Sequence, residues 1–404
     1  MPSQLAWLDT SAEEQRQVRE LIRLYSQPES RDELGYGPVR DVLSEALFPG
    51  TSVLQTRARY FLFVPWSYRE AARTRSGEQL QRLADHEQRQ LITTLKGVPE
   101  LAQGAGLIGA RAGAAVKILP SAIFWPALSH YGILTGDVAP DQLGSLRSSQ
   151  VEDELAERVA TDWHPTLPSR PAGFPREVAG GFDLTPDEAS WLRERILSAT
   201  SGTLLERVLL SDEEPVPDNV FPWLDPICLK ADPEPAAWLA HARSFSTAMR
   251  GAALVYNLLL AELSLARGYG DEGRAPEGYR EALTSWETEV ESQQDSLASW
   301  DRQDFWLRVL RANPRISKNT QEFVREWTAA VASGRAHGAA DDRDLRDRVR
   351  NQERRAKRKQ SRFDNDRLLR GWTGRAGTGA MTFRWPNVRN IVTDIYDGHR
   401  RADT

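Results

Sequence analysis

Apolar residues in this chain recur every three or four positions behind recognisable helix starts, a pattern that restricts the sequence to a helical fold. Ser11 and Glu14 have capping-box spacing, and Val18, Leu21, Ile22 and Tyr25 follow on one face before Pro28. Pro38 opens a second helix with Val39, Val42, Leu43, Ala46 and Leu47 on its face, closed by Phe48, Pro49 and Gly50. A third is expected over residues 53–73, apolar nearly all round through Tyr60, Phe61, Leu62, Phe63 and Val64, hence buried, and kinked at Pro65. Ser76 and Gln79 cap a fourth, carrying Leu80, Leu83, Leu91 and Leu95. Further helices are expected over residues 122–131, 185–199, 201–210, 235–267, 277–297, 304–311 and 319–332. Strand signals are sparse, so the expected fold is mostly all-α and multi-helical.

At 404 residues the chain exceeds what one core usually serves. The pattern divides it into an N-terminal helical domain (1–136), a Pro/Gly-rich irregular connection (137–181), a second helical domain (182–335) and a basic C-terminal module (340–404). Cys228 is the single cysteine, so no intrachain disulfide forms, which fits a reducing compartment. No uninterrupted apolar run reaches the ~18 residues of a membrane span. The first ten residues lack a signal peptide's layout. The expected location is cytoplasmic, with no membrane partner.

Charge is distributed unevenly. The formal net charge is −5, yet residues 346–375 hold twelve Lys or Arg against four acids, leaving 40 basic and 53 acidic residues elsewhere. Leu345, Val349, Ala356 and Phe363 fall at near-heptad intervals, so residues 342–370 are expected to form one long helix with a narrow apolar seam. Arg354, Arg355, Lys357, Arg358, Lys359 and Arg362 wrap its remaining surface. A glycine-rich loop with Trp372 and Arg375 follows, then a final short helix over residues 385–396. Basic residues beside an exposed aromatic suit phosphate contact combined with base stacking. The competing reading is a solvated helix whose charges answer acids elsewhere in the chain.

The runs Glu33-Leu34-Gly35-Tyr36-Gly37-Pro38-Val39-Arg40-Asp41 and Leu47-Phe48-Pro49-Gly50-Thr51-Ser52-Val53-Leu54-Gln55-Thr56-Arg57-Ala58-Arg59-Tyr60-Phe61 carry a resemblance. So do Gly106-Leu107-Ile108-Gly109 with Leu119-Pro120-Ser121, Ala248-Met249-Arg250-Gly251-Ala252 with Tyr256-Asn257, and Arg384-Trp385-Pro386 with Asp394-Ile395. Nearly end to end, the chain resembles an uncharacterised bacterial family, domain of unknown function 6361. The resemblance implies an accessory protein of the kind placed beside helicase genes in phage-defence loci, and it carries over no catalytic residues.

Other constellations favour structural roles. Gly104 to Gly109 matches the dinucleotide fingerprint in spacing, but the preceding Val98 to Gln103 makes a poor strand. Residues 107–132 could form a helix-turn-helix, although the second helix, with Ile123, Phe124, Trp125 and Leu128, offers little to read base edges. Arg57 and Arg59, within an apolar stretch, are better explained as ion-paired than as phosphate ligands, with Asp32, Glu33 and Asp41 near in sequence. None of His86, His130, His164, His241, His337 and His399 stands at metal-ligand spacing, and neither a nucleophile elbow nor a Walker lysine loop is present. His164, in the irregular connection, is the one histidine around which a dispersed catalytic site could assemble. The function expected is therefore a non-catalytic nucleic-acid-binding accessory protein of a bacterial defence or DNA-processing complex. It would have no cofactor and no metal, and protein partners in that complex. The alternatives are an adaptor whose basic helix docks on an acidic protein, and an enzyme built near His164.

Overall fold

The computed structural model describes residues 32–74, 77–102, 106–136, 138–140, 143, 162–270, 274–374 and 376–401. The helix expected over residues 11–25 and most of residues 137–161 lie outside them. The described elements in chain order are α1 (Gly37–Leu47), α2 (Tyr60–Thr74), α3 (Gly77–Lys96), α4 (Pro99–Ala102), α5 (Pro120–His130), α6 (Pro186–Ala199), α7 (Leu204–Leu210), α8 (Pro226–Leu229) and α9 (Pro233–Ala266). They continue with α10 (Pro276–Ser292), α11 (Gln294–Ala298), α12 (Arg302–Ala312), α13 (Lys318–Ala330), α14 (Arg343–Lys357), α15 (Asp366–Arg370) and α16 (Trp385–Arg400). Among the described residues there is no strand, only an isolated bridge between Leu134 and Trp163. The fold is mostly all-α, as expected.

Helix starts follow their capping chemistry. At α6 the Thr185 hydroxyl accepts from the Glu188 amide while the Glu188 carboxylate accepts from the Thr185 amide. Thr203 and Ser317 cap α7 and α13 in the simpler one-sided way. The third expected helix begins seven residues late, at Tyr60. Ahead of it the backbone bonds to side chains instead of to a helical ladder. Ala58 N–H donates to Asp394 at 2.8 Å, and the Gln55 carbonyl accepts from Asn387 at 2.9 Å.

The chain forms two compact units, each drawn from separated stretches of sequence: Met1–Ala46 with Ala237–Phe383, and Leu47–Ala236 with Arg384–Thr404. The first is organised around α9. Three fully buried indoles donate to this helix: Trp286 to the Thr247 carbonyl (2.7 Å), Trp327 to the Ala248 carbonyl (2.8 Å), and Trp372 to the Asn257 side chain (3.1 Å). Gly251 lies flat beneath Trp286, where a Cβ would penetrate the ring. By length and composition α9 could cross a membrane, and 78% of its apolar window is buried inside the protein.

The second unit is built on α2. Tyr60, Phe61, Leu62, Phe63, Val64 and Trp66 are all buried, as the all-round apolar pattern requires. Phe61 meets Phe124 edge-on at 4.9 Å, and Phe63 stacks on Phe174 at 5.7 Å. Residues 107–132 pack as part of this core. The segment before α5 is a short 3₁₀ turn at Gly113–Ala115, and the start of α5 is buried, with Ser121 N–H donating to Gln88 at 2.8 Å. A helix start covered in this way presents nothing to a groove.

Candidate nucleic-acid interface

The basic segment begins as expected. Asp342 caps α14 through the Leu345 amide at 3.1 Å, and Leu345 and Val349 form its buried seam. The helix then stops at Lys357, where the expected one continued to Arg370. Arg358 takes φ 50° and ψ −120°, a conformation costly for a residue with a Cβ. The chain turns there because the next residues enter the core: Ser361, Arg362 and Phe363 are all buried. Arg362 N–H donates to Glu353 at 2.7 Å, and its guanidinium lies 2.6 Å from Glu33 and donates to the Tyr256 hydroxyl at 3.0 Å. Phe363 meets Tyr256 edge-on. Burial pushes the Tyr256 hydroxyl and the Glu353 carboxyl upward, since both are charged only when deprotonated. Strain at Arg358 is thus held by a buried network on either side of it.

The residues singled out in the sequence divide into two groups. Arg354, Arg355, Arg358 and Lys359 are exposed at the end of α14 and in the turn. Arg354 pairs with Asp364 at 2.7 Å across a half-exposed surface, and Arg355 lies 4.0 Å from Glu322. Arg358 and Lys359 have no ion pair among the described residues. Lys357, Arg362 and Trp372 point inward and are corrected. Lys357 Nζ sits 3.2 Å from the buried Glu33 carboxylate, Arg362 is 8% exposed, and Trp372 is 2% exposed. A tryptophan in a glycine-rich loop reads as exposed, but this one packs on Tyr279 and satisfies its N–H on Asn257. Arg375 lies outside the described residues.

One half-buried aromatic of the first unit meets a surface cation. Tyr269 carries the Arg370 guanidinium over its ring at 4.4 Å and accepts from it at 2.9 Å. Nothing in the sequence joins these residues, which stand 101 positions apart.

The other expectations resolve inside the second unit. Arg57 and Arg59 are ion-paired, as expected, but with distant partners. Arg57 makes a forked contact with Asp394 at 2.7–3.0 Å. Arg59 donates to Glu188 at 3.1 Å and to the carbonyls of Ala179 and Gly181. At His164, Arg195 donates to Nε2 at 2.8 Å, and Nδ1 lies 3.0 Å from the Thr166 hydroxyl and accepts from the Thr166 N–H at 3.3 Å. Burial and then the Arg195 charge hold this imidazole below its ordinary range. Both ring nitrogens are therefore engaged structurally. Among the described residues no group of His, Cys, Asp and Glu could hold a metal ion.

These features define an all-α protein of two compact units, with an exposed cationic turn on the first. The chain belongs to the family of unknown function DUF6361, whose model matches residues 2–398. No curated protein and no solved structure matches it.

Proposed function

We propose that the protein is a non-catalytic nucleic-acid-binding accessory protein that contacts phosphates through Arg354, Arg355, Arg358 and Lys359. One observation carries this reading: a strained turn, anchored by the buried Arg362–Glu33 pair, holds Arg358 and Lys359 in solvent with no acidic partner among the described residues. Cations in solvent that no carboxylate answers remain available to condense on a polyanion. Strain at a turn is retained where the surrounding structure over-determines it, a recurrent property of ligand-contacting segments.

The rest of α14 is not available in the same way. Arg346 pairs with Glu262, Arg348 with Asp344 and Glu326, and Arg350 with Asp347, so those charges are answered within the chain. Arg354 is answered too, by Asp364 at 2.7 Å, and Arg355 lies 4.0 Å from Glu322, so the proposed interface centres on Arg358 and Lys359, and the other two would exchange those partners for phosphate. With so few contacts, binding is weak, salt-sensitive and tolerant of sequence. Service in a bacterial defence or DNA-processing complex belongs to the same proposal, and a cytoplasmic location goes with it.

Filter retention of labelled duplex DNA and RNA at about 50 mM salt, where phosphate contacts are strong, tests the proposal. Retention that weakens when the four residues become alanine supports it. No retention of either nucleic acid by the wild-type chain rejects it, and the four cations then become the first surface to examine against an acidic protein.

A further inference from the structure

Eight large apolar side chains are exposed in the described structure, and five of them fall within twenty residues of the second unit: Leu210, Val216, Val220, Leu224 and Leu229. Scattered exposed leucines are ordinary, but a concentration of this kind is not. Hydrogen bonds tie the backbone near Val216 and Asn219 to the Leu224–Asp225 turn. Buried Asp225 accepts from Val216 N–H at 2.9 Å and from Ile227 N–H at 3.0 Å, which draws the loop at Val216 onto the start of α8. Asn219 donates to the Leu224 carbonyl at 3.1 Å, closing the loop between them. The loop is also fastened to α16, since Arg389 donates to the Asn219 carbonyl at 2.7 Å and Tyr396 to the Ser211 carbonyl. Half-exposed Phe221 and Trp223 stack at 5.0 Å with rings nearly parallel.

The patch is therefore apolar, aromatic and held by its own scaffold. Preformed surfaces of that composition lose little entropy on binding, and aromatic anchors dominate interface energetics. The charged residues interspersed with it in sequence are mostly acidic. Lys230 answers Glu213 at 2.8 Å and Arg400 answers Glu214 at 3.0 Å. Asp212, Asp218 and Asp232 are exposed and have no ion pair among the described residues. Unanswered charge at the rim of an apolar surface selects partners of the opposite charge.

We propose that this face, Leu224 and Leu229 at its centre and Asp212, Asp218 and Asp232 at its rim, docks a segment of a partner protein that carries an apolar face bordered by lysine or arginine. The proposal is independent of the nucleic-acid reading, which concerns the other unit.

A matched pair of labelled synthetic helical peptides tests it, sharing one leucine face bordered in one by lysine and in the other by glutamate. Fluorescence anisotropy against the full chain at low and high salt is the readout. The lysine peptide is expected to bind and the glutamate peptide not. The Leu224→Ser, Leu229→Ser double variant is expected to weaken binding by about tenfold or more at both salts. The variant with Asp212, Asp218 and Asp232 changed to asparagine is expected to weaken it at low salt only. All five positions are solvent-exposed, so circular dichroism should show both variants folded. The proposal is overturned if the lysine peptide does not bind, if the glutamate peptide binds equally, or if the leucine variant binds as well as wild type. It is also overturned if the wild-type chain self-associates in sedimentation and the leucine variant does not, because the occupant would then be a second copy of this chain.

Discussion

Replacing Arg362 by alanine should destabilise the first unit, the turn it anchors included. Arg362 is 8% exposed and Glu33 7%, with their charged atoms 2.6 Å apart. Loss of the guanidinium leaves Glu33 buried with Lys357 Nζ, at 3.2 Å, as its remaining ion-pair partner. It also removes the donor to the Tyr256 hydroxyl. Breaking a buried pair by removing one member costs roughly 3–5 kcal/mol. Because Lys357 still offsets part of the Glu33 charge, the lower end, about 3 kcal/mol, applies. At a urea m-value of ~3 kcal/mol/M the midpoint then falls by about 1 M. Tryptophan fluorescence follows it, since Trp286, Trp327 and Trp372 all report on this unit's core. Arg362→Met combined with Glu33→Gln should recover most of the loss, because replacing both charges removes the uncompensated one. A midpoint unchanged in Arg362→Ala, together with altered salt dependence of DNA binding, would refute the argument and return Arg362 to the surface.

Two further outcomes follow from buried groups. Gly251→Ala drives a Cβ into the Trp286 ring; an overpacking cost of about 1–3 kcal/mol outweighs the ~1 kcal/mol gain in helix propensity. The thermal midpoint should fall, and a rise would show that the ring can move aside. The Asp85 carboxyl is pushed up to about 6 by burial, against the opposing Arg89 charge. A folded-state value above the unfolded one means that folding favours the protonated form, so stability is lost as pH rises from about 4 through 6. Asp85→Asn should therefore be more stable than wild type at pH 7–8 by about 1–2 kcal/mol, with the gap closing near pH 4. An equal gap at both pH values would contradict the sign.

How far the sequence could be read depended on whether the deciding interaction was local. Thr185 and Glu188 sit three residues apart and specify the start of α6 between them. The all-round apolar run from Tyr60 to Val64 likewise required burial. The ends of elements were set from elsewhere. Nothing near Arg358 resembles a stop signal; α14 ends there because Glu353, Glu33 and Tyr256 draw Arg362 and the chain around it inward. The ion-paired state of Arg57 follows from its apolar surroundings, whereas its partner Asp394 lies 337 positions away. Composition placed Trp372 in a flexible loop, and only the position of Asn257 on α9 shows the indole to be core. The basic segment itself was legible as an excess of lysine and arginine over residues 346–375. The division into outward Arg354, Arg355, Arg358 and Lys359 and inward Lys357 and Arg362 depends on one turn that periodicity does not encode.

If the four outward cations neutralise phosphates, as proposed, binding must weaken with salt in proportion to their number. Each phosphate neutralised on duplex DNA contributes a slope of about −0.9 in log K against log salt. Measured by anisotropy between roughly 50 and 200 mM salt, the wild-type chain should show a slope near −3 to −4 if all four contacts form. The variant with Arg354, Arg355, Arg358 and Lys359 changed to alanine should bind more weakly at every salt, with a slope near zero. Equal slopes for the two proteins, or no binding by the wild type, would contradict the account.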